Sequence, residues 1–453
     1  MEYIDNFTFD EIAVGTSVSA VRRLTAEDMR LLDILSGIGP STDNAVFPER
    51  LAQGMWGGIL IFTVLGADYP GTGTRYLRQK LEFCRPLHLD EDVTTTVTVL
   101  EKNPQNRQVT LQCQCVSQRG EILVSGTTEV LAPTQKIRRT RTAMPPAQRI
   151  DQNARYRRLM GLTQGLNPIR VAVVHPCDAE SLRGAVEAAN AELIVPTLVG
   201  PAAKIAATAA SAGLNIAAYT MVDTPHSHAA AAQAVALARG GEVDAIMKGS
   251  LHTDELMAAV VSSESGLRTG RRMSHVFAMD VPSYSHPLLI TDAAINIAPD
   301  LNVKRDIVQN AIDLAHVLGI PEPRVAILAA VETINDKLRS TLDAAALCKM
   351  AERGQITGGI LDGPLAFDNA VSAAAAEAKQ LHSSVAGHAD ILVVPELESG
   401  NMLAKQLQYL ANAQAAGIVL GARVPIVLTS RADLSHARIA SCAMALLVVR
   451  KHA

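Results

Sequence analysis

Aromatic residues are few, fifteen in 453 with Trp56 the single tryptophan, and nine of them (Tyr3, Phe7, Phe9, Phe47, Trp56, Phe62, Tyr69, Tyr76, Phe83) precede residue 84. The rest of the chain is Ala-rich, so its composition alone suggests two regions built differently. An excess of charge of either sign is also missing. Lys+Arg 41 against Asp+Glu 45 leaves a formal charge of -4, which excludes a whole-chain basic footprint for nucleic acid while leaving room for a local phosphate site. No uncharged apolar run reaches the ~18 residues that a membrane helix requires. The start, MEYIDNFTFDEIAVG, carries acids where a secretory signal would carry bases, so the expected location is cytoplasmic. The six cysteines (Cys84, Cys113, Cys115, Cys177, Cys348, Cys442) form no C-x-x-C pair, a pattern of buried thiols rather than of disulfides or a metal site. Three phosphate or nucleophile signatures are absent as well: G-x-x-x-x-G-K-[ST], G-x-S-x-G and G-x-G-x-x-G.

At roughly 150 residues per domain, the length allows two or three domains. A basic, proline-bearing stretch without apolar period, APTQKIRRTRTAMPPAQRI, marks a linker over 134–154. Before it, TAEDMRLLDILSG and FPERLAQGMWGGILIFTVLG predict two helices, the second apolar on nearly every side and therefore expected to be wrapped. RYLRQKLEF, DVTTTVTVLEK, RQVTLQCQCVS and EILVSGTTEVLA follow as strands, the third alternating strictly. Together they predict an α+β unit with a sheet curled around a helix. After the linker, short apolar runs without alternation (IRVAVVHP, AELIVPTLV, LNIAAYTMV, VDAIMKG, HPLLITDAA, RVAILAAV, ITGGILDGP, ADILVVPEL, VPIVLTS) alternate with helical stretches. That pattern predicts mainly parallel α/β structure, expected as two lobes across a cleft rather than one sheet.

In such folds ligands gather at the carboxyl ends of strands. The residues standing there are Lys248, Gly249 and Ser250, with Thr253 opening a helix, and then Ser430, Arg431 and Asp433. A cation, a glycine and free N–H groups suit an anion; an arginine fork suits a phosphate. The plain alternative is that Gly249 turns the chain, Thr253 and Asp433 cap helices, and Arg431 sits in an ordinary ion pair. Asp292, Glu332, Asp362 and Glu396 form a further series of acids after apolar runs. His226, His228 and His252 lack a partner at metal-ligand spacing, so no metal is expected.

MKGSLHTDELM, ITDAAINIAPDL, AAVETINDKLRSTLDAAALCKMAERGQI, LDGPLAFDNAVS and ADILVVPELESGNMLAKQL through IVLTSRADL resemble the phosphate acetyl/butyryl transferase family over 155–453. The resemblance implies acyl-CoA plus phosphate giving acyl phosphate plus CoA. It also implies a two-lobed fold like the isocitrate and isopropylmalate dehydrogenases, with lobes roughly 155–290 plus 415–453 and 291–414, and a homodimer or higher homo-oligomer. Coenzyme A thioester and phosphate are then substrates, with no bound cofactor. Ser430 and Arg431 match the family's catalytic Ser-Arg pair, and Lys248, Gly249, Ser250, Thr253, Asp292, Glu332 and Asn401 fall in the matched segments as substrate-binding candidates. The family's acid for the thiol proton would fall at Ala437, between His436 and Arg438, which leaves Asp433 as the substitute; Ser384 replaces a family proline.

Residues 1–133 resemble MaoC-like hotdog hydratases, through LTAEDMRLLDILSG, LAQGMWGGILIFTVLG and the strands up to GTTEVLAP. The whole chain is similar to bacterial bifunctional enoyl-CoA hydratase/phosphate acetyltransferases. The hydratases use an Asp and a His in G-D-x-N-P-x-H, where this chain reads Gly37-Ile38-Gly39-Pro40-Ser41-Thr42. Neither Ile38 nor Thr42 takes a proton near neutrality, and no histidine precedes His88. The expectation is a hotdog domain without hydratase activity, serving assembly or acyl-CoA binding. The rivals are retained hydration through Asp33 or Asp43, and a non-catalytic acyl-CoA-binding scaffold.

Overall fold

A computed structural model describes residues 3–35, 51–140, 154–429 and 435–451. The chain divides into two compact units, Met1–Gln148 and Arg149–Ala453.

In the first unit five antiparallel strands lie in the order Ser17–Arg23, Asp92–Asn103, Gln108–Ser117, Ile122–Leu131, Arg75–Phe83. Alternation sets the buried face: Val93, Thr95, Val97 and Val99 point inward on one strand, and Val109, Leu111, Cys113 and Cys115 on the next. Helix Leu51–Thr63 packs on that face through Trp56, Leu60 and Ile61. Gly57 permits the close approach, because a Cβ there would stand 2.6 Å from Val124 Cγ2. This sheet-on-helix arrangement agrees with the hotdog expectation. The wrapping, however, is one-sided: Met55, Ile59 and Phe62 are exposed. Five strands cover one face of the helix, and helix Ala26–Leu35 also contacts it. Helix Ala26–Leu35 and an antiparallel pair of short strands, Tyr3–Asp5 with Arg138–Thr140, also belong to this unit, the second of these strands lying inside the stretch expected as linker. Ile38, Thr42 and Asp43 lie outside the described residues, as does the side chain of Asp33.

The second unit is built on one sheet of eleven strands. Their order is Thr220–Asp223, Ile194–Gly200, Ile169–Val174, Ala245–Lys248, Ile426–Val427, Gln414–Leu420, Ser274–Asp280, Leu288–Thr291, Ile391–Val393, Arg324–Leu328, Ile360–Leu365. The expectation of two lobes with separate sheets is therefore corrected, since hydrogen bonding runs unbroken from one edge strand to the other. What divides the sheet is polarity. The first five strands are mutually parallel, the last four are mutually parallel, and Gln414–Leu420 and Ser274–Asp280 join the sets through three antiparallel pairings. These two joining strands are the ones that the run-counting above omits. Three reversals give the two sets opposite directions, so their carboxyl ends leave by opposite edges of the ladder. A twist of about 20–25° per step turns the strand direction by roughly 60–75° over the three steps between the sets, so the two rows of ends are not diametrically opposed. Helices cover both faces, with Leu301–Val317 and Ser435–Lys451 burying Val308, Ile312, Cys442 and Leu446 against the middle of the sheet.

Candidate active site

Strand Ile169–Val174 and its neighbour Ala245–Lys248 end at the same register position, Val174 standing opposite Lys248, and His175 follows the first of them. The chain then turns back so tightly that a Cβ on Gly249 would lie 2.3 Å from the Val174 carbonyl oxygen; only glycine fits there. The Gly249 and Ser250 N–H groups donate to the carbonyls of Val174 (2.9 Å) and His175 (3.0 Å), extending the pairing past the strand ends. Ser250 Oγ sits at the centre of this corner. It donates to the His175 carbonyl at 2.7 Å, accepts from the Cys177 N–H at 3.1 Å and lies 3.2 Å from His175 Nδ1. Lys248 is buried, with Nζ 3.4 Å from the Gly249 carbonyl. His175, which the run-by-run reading passed over, has φ +53° in the left-handed region that non-glycine residues seldom occupy. Burial, and then the Lys204 charge, hold its imidazole below the ordinary 6.5. The half-buried Cys177 thiol is pushed up by burial.

The helix after Ser250 differs from expectation. His252, not Thr253, occupies the N-cap of Thr253–Val260, and the first turn carries Asp254 and Glu255. Glu255 is held below the usual carboxylate range by a hydrogen bond from Ser227 and then by the charges of His228 and His252. Two carboxylates at this terminus oppose an anion there. Lys248 is the buried cation at this corner.

Next to Ala245–Lys248 lies Ile426–Val427, Met247 pairing with both Val173 and Val427. Two residues on, the Thr429 hydroxyl accepts a hydrogen bond from the buried Arg438 Nη1 at 2.8 Å. Gly184 makes room for this arginine, for a Cβ there would stand 2.3 Å from Arg438 Cδ. Arg438, from helix Ser435–Lys451, thus fixes the chain immediately before Ser430. Ser430, Arg431 and Asp433 lie outside the described residues.

The acids of the second strand set are engaged locally. Asp292 is buried and accepts from the N–H groups of Ala294, Ile295 and Asn296 at 3.0–3.1 Å and from Asn296 Nδ2 at 2.6 Å. Asn401 Nδ2 donates to the neighbouring Ala293 carbonyl. Glu332 pairs with Lys379, whose hydrogen bond lowers its pKa, and accepts from Asn369. Glu396 caps helix Leu397–Leu410 through the N–H groups of Glu398 and Ser399. Asp362 lies within strand Ile360–Leu365 instead of after it and accepts from the Gly363 N–H. Lys248 and Ser250 thus form one group of contacts, and Asp292 and Asn401 another.

Among the described residues no cluster of three His, Cys, Asp or Glu could hold a metal, and no helix is long and apolar enough to cross a membrane.

The family model described as phosphate acetyl/butaryl transferase matches residues 227–446. A phosphate acetyltransferase of Rhizobium meliloti is 62% identical over 296 residues, 65% of this chain and 94% of that protein. The chain belongs to the phosphate acetyl/butyryl transferase family. It is accordingly an acyltransferase. The crystal structure of a branched-chain phosphotransacylase from Enterococcus faecalis V583 is 29% identical, with a TM-score of 0.55 over 62% of this chain and 99% of that one. An R-hydratase from Pseudomonas aeruginosa is 29% identical and aligns with 33% of this chain and 99% of its own, at a TM-score of 0.30. The transferase family match includes Lys248–Ser250 and Thr429, and begins after His175.

Proposed function

We propose that this transferase moves a short acyl group between coenzyme A and inorganic phosphate, acyl-CoA plus phosphate giving acyl phosphate plus CoA, without a bound cofactor. The observation that carries the reading is the 62% identity over 94% of a protein named phosphate acetyltransferase, which also makes acetyl the first acyl group to test. The corner at Lys248 supports it: a buried cation and a glycine loop stand one strand from the chain that leads into Ser430 and Arg431. In this reading Arg431 grips phosphate with its bidentate fork and Lys248 adds a second positive charge. Ser430 steadies the oxyanion of the tetrahedral intermediate, and Gly249, Ser250 and Thr253 shape the loop around the substrates. Asp292, Glu332 and Asn401 border the second lobe's side of the cleft. The thiol proton needs an acceptor, and Asp433 is the carboxylate nearest to Ser430 in sequence.

The lobes are assigned to 155–290 plus 415–453 and to 291–414, on a plan like the isocitrate and isopropylmalate dehydrogenases, with 134–154 as the linker. The hotdog domain at 1–133 is assigned to assembly or acyl-CoA binding, since neither Ile38 nor Thr42 can take up a proton near neutrality. Its exposed Phe62, Leu77 and Phe83 supply apolar surface for a second copy, which supports a homo-oligomer. The site of action is cytoplasmic. The test is release of CoA thiol from acetyl-, propionyl- and butyryl-CoA with and without phosphate. Arg431→Ala is expected to lower the phosphate-dependent rate by at least ~10²-fold; an unchanged rate contradicts the assignment.

A further inference from the structure

At the amino ends of the first strand set, on the other edge of the sheet from Lys248 and Thr429, the second unit holds a cavity of about 590 Å³. Arg170 stands at the start of strand Ile169–Val174, Asp244 and Pro425 immediately precede Ala245–Lys248 and Ile426–Val427, and Leu420 ends the antiparallel strand Gln414–Leu420. At ~3.3 Å per residue, the chain from Asp244 to Lys248 covers roughly 13 Å, so a ligand of a few carbons at one edge does not reach the other. We infer that this cavity is a ligand site of its own, taking a small monocarboxylate with a short aliphatic chain. Binding there does not require that the unit transfer acyl groups.

The rim is fixed by the backbone. Gly421 has φ +87°, and a Cβ there would stand 2.5 Å from the Arg272 carbonyl oxygen, so only glycine carries the chain out of Gln414–Leu420 at this point. Two loops are then tied together. Thr269 Oγ1 donates to the Gly421 carbonyl at 2.7 Å, and the Arg423 N–H donates to the Leu267 carbonyl at 2.9 Å. Beneath them the buried Asn310 Nδ2, from helix Leu301–Val317, donates to the Arg272 carbonyl and to Ser274 Oγ, both at 2.9 Å.

The charge of the lining selects the ligand's head. Its charged residues are Arg170, Arg271, Arg423, Asp244 and Asp313. Two of the arginines are matched. Arg170 Nε and Nη2 donate to the Asp244 carboxylate at 3.1 and 2.6 Å, which holds that carboxyl below its ordinary range, and Arg271 pairs with Asp313. The Arg423 side chain is exposed and, among the described residues, makes no hydrogen bond or ion pair. One positive charge is left, on a planar fork of N–H donors whose geometry matches a carboxylate.

The rest of the lining selects the tail. Leu314 and Val317 near the end of one helix, and Val448 and Val449 near the end of Ser435–Lys451, give the cavity an apolar wall. A space of a few hundred Å³ with apolar walls and a few polar groups that fix orientation has the form of a small-molecule site. Inorganic phosphate fits it less well. As a dianion it carries one charge more than the lining balances, and it offers nothing to the apolar wall.

The experiment follows binding of acetate, butyrate and hexanoate to the full-length protein by ligand-observed NMR, in the wild type, Arg423→Gln and Val449→Glu. Arg423 is exposed, so its replacement leaves the core intact. The expected result is an affinity that rises roughly 3- to 4-fold per added methylene, falls at least ~10-fold in Arg423→Gln, and is lost in Val449→Glu, which sets a carboxylate in the apolar wall. Saturating inorganic phosphate should leave butyrate bound. Acyl transfer measured without added carboxylate should keep its wild-type rate in Arg423→Gln. Equal butyrate affinity in the wild type and Arg423→Gln overturns the proposal, as does no affinity of the folded wild type for any of the three acids. Displacement of butyrate by phosphate assigns the cavity to phosphate instead, and loss of acyl transfer in Arg423→Gln makes the cavity part of the transfer site; either result overturns a separate carboxylate site.

Discussion

The two units treat their buried polar groups differently. Inside the first, the sheet and helix enclose thiols and hydroxyls that satisfy one another: Cys113 Sγ lies 3.5 Å from Thr128 Oγ1, and Cys115 Sγ lies 3.5 Å from the Gly57 carbonyl. Burial pushes the Cys115 thiol up to about 11, so neither sulfur has acid-base use near neutrality. Inside the second, charges are buried: Lys248, Arg438 against Thr429, Asp292 in its own turn, and Lys304 paired with Asp343 at 2.8 Å. Taking a charge out of water is costly unless it is paired and hydrogen-bonded. Among the described residues the first unit buries one carboxylate, Glu91. The second, which carries the acyltransferase family match, buries several charges.

Three experiments would break or sharpen that division. The largest effect is expected from Trp56→Ala, which empties the middle of the first unit's core and should lower the stability of that unit by ~3–5 kcal/mol. Thermal unfolding would show one transition moved down, while the transferase kcat measured below it stays at the wild-type value. A parallel loss of transferase rate would mean that the units are functionally coupled. Gly249→Ala should do the reverse. Its Cβ would meet the Val174 and His175 carbonyls at 2.3 and 2.8 Å, forcing the corner apart. A stability loss of ~1–3 kcal/mol is expected, with a much larger fractional loss of acyl transfer. Transfer at the wild-type rate would show that this corner is not the site. The smallest effect is a null one: crotonyl-CoA should keep its ultraviolet absorbance in the presence of the full chain. Hydration would place acid-base chemistry in the first unit.

Much of the fold was legible in sequence because periodicity is a direct trace of burial. DVTTTVTVLEK and RQVTLQCQCVS alternate and become half-buried antiparallel strands; IRVAVV and VDAIM do not alternate and become strands covered on both faces. The strands that escaped, Ser274–Asp280 and Gln414–Leu420, were hidden by composition. One opens with buried Ser274 and His275, and the other is rich in Ala and Gly because Gly417 must pass His275 at close range. Missing them meant missing the polarity reversal that makes one sheet of two sets. The candidate residues around Lys248 were visible because they follow a strand directly. His175 also follows one, but its meaning depends on Ser250, 75 residues later, which only the parallel pairing of two strands brings alongside. Asp292 shows the opposite limit: an acid after an apolar run looks available in sequence, yet its oxygens are taken up by the N–H groups of its own turn.

The central claim is acyl exchange between CoA and phosphate in the second unit. Its most direct test is CoA thiol release from acetyl-CoA by the purified full-length chain, with phosphate present and omitted. The account predicts release that appears only with phosphate and saturates with it. A folded protein that binds CoA and releases none, or releases it equally without phosphate, would contradict the account.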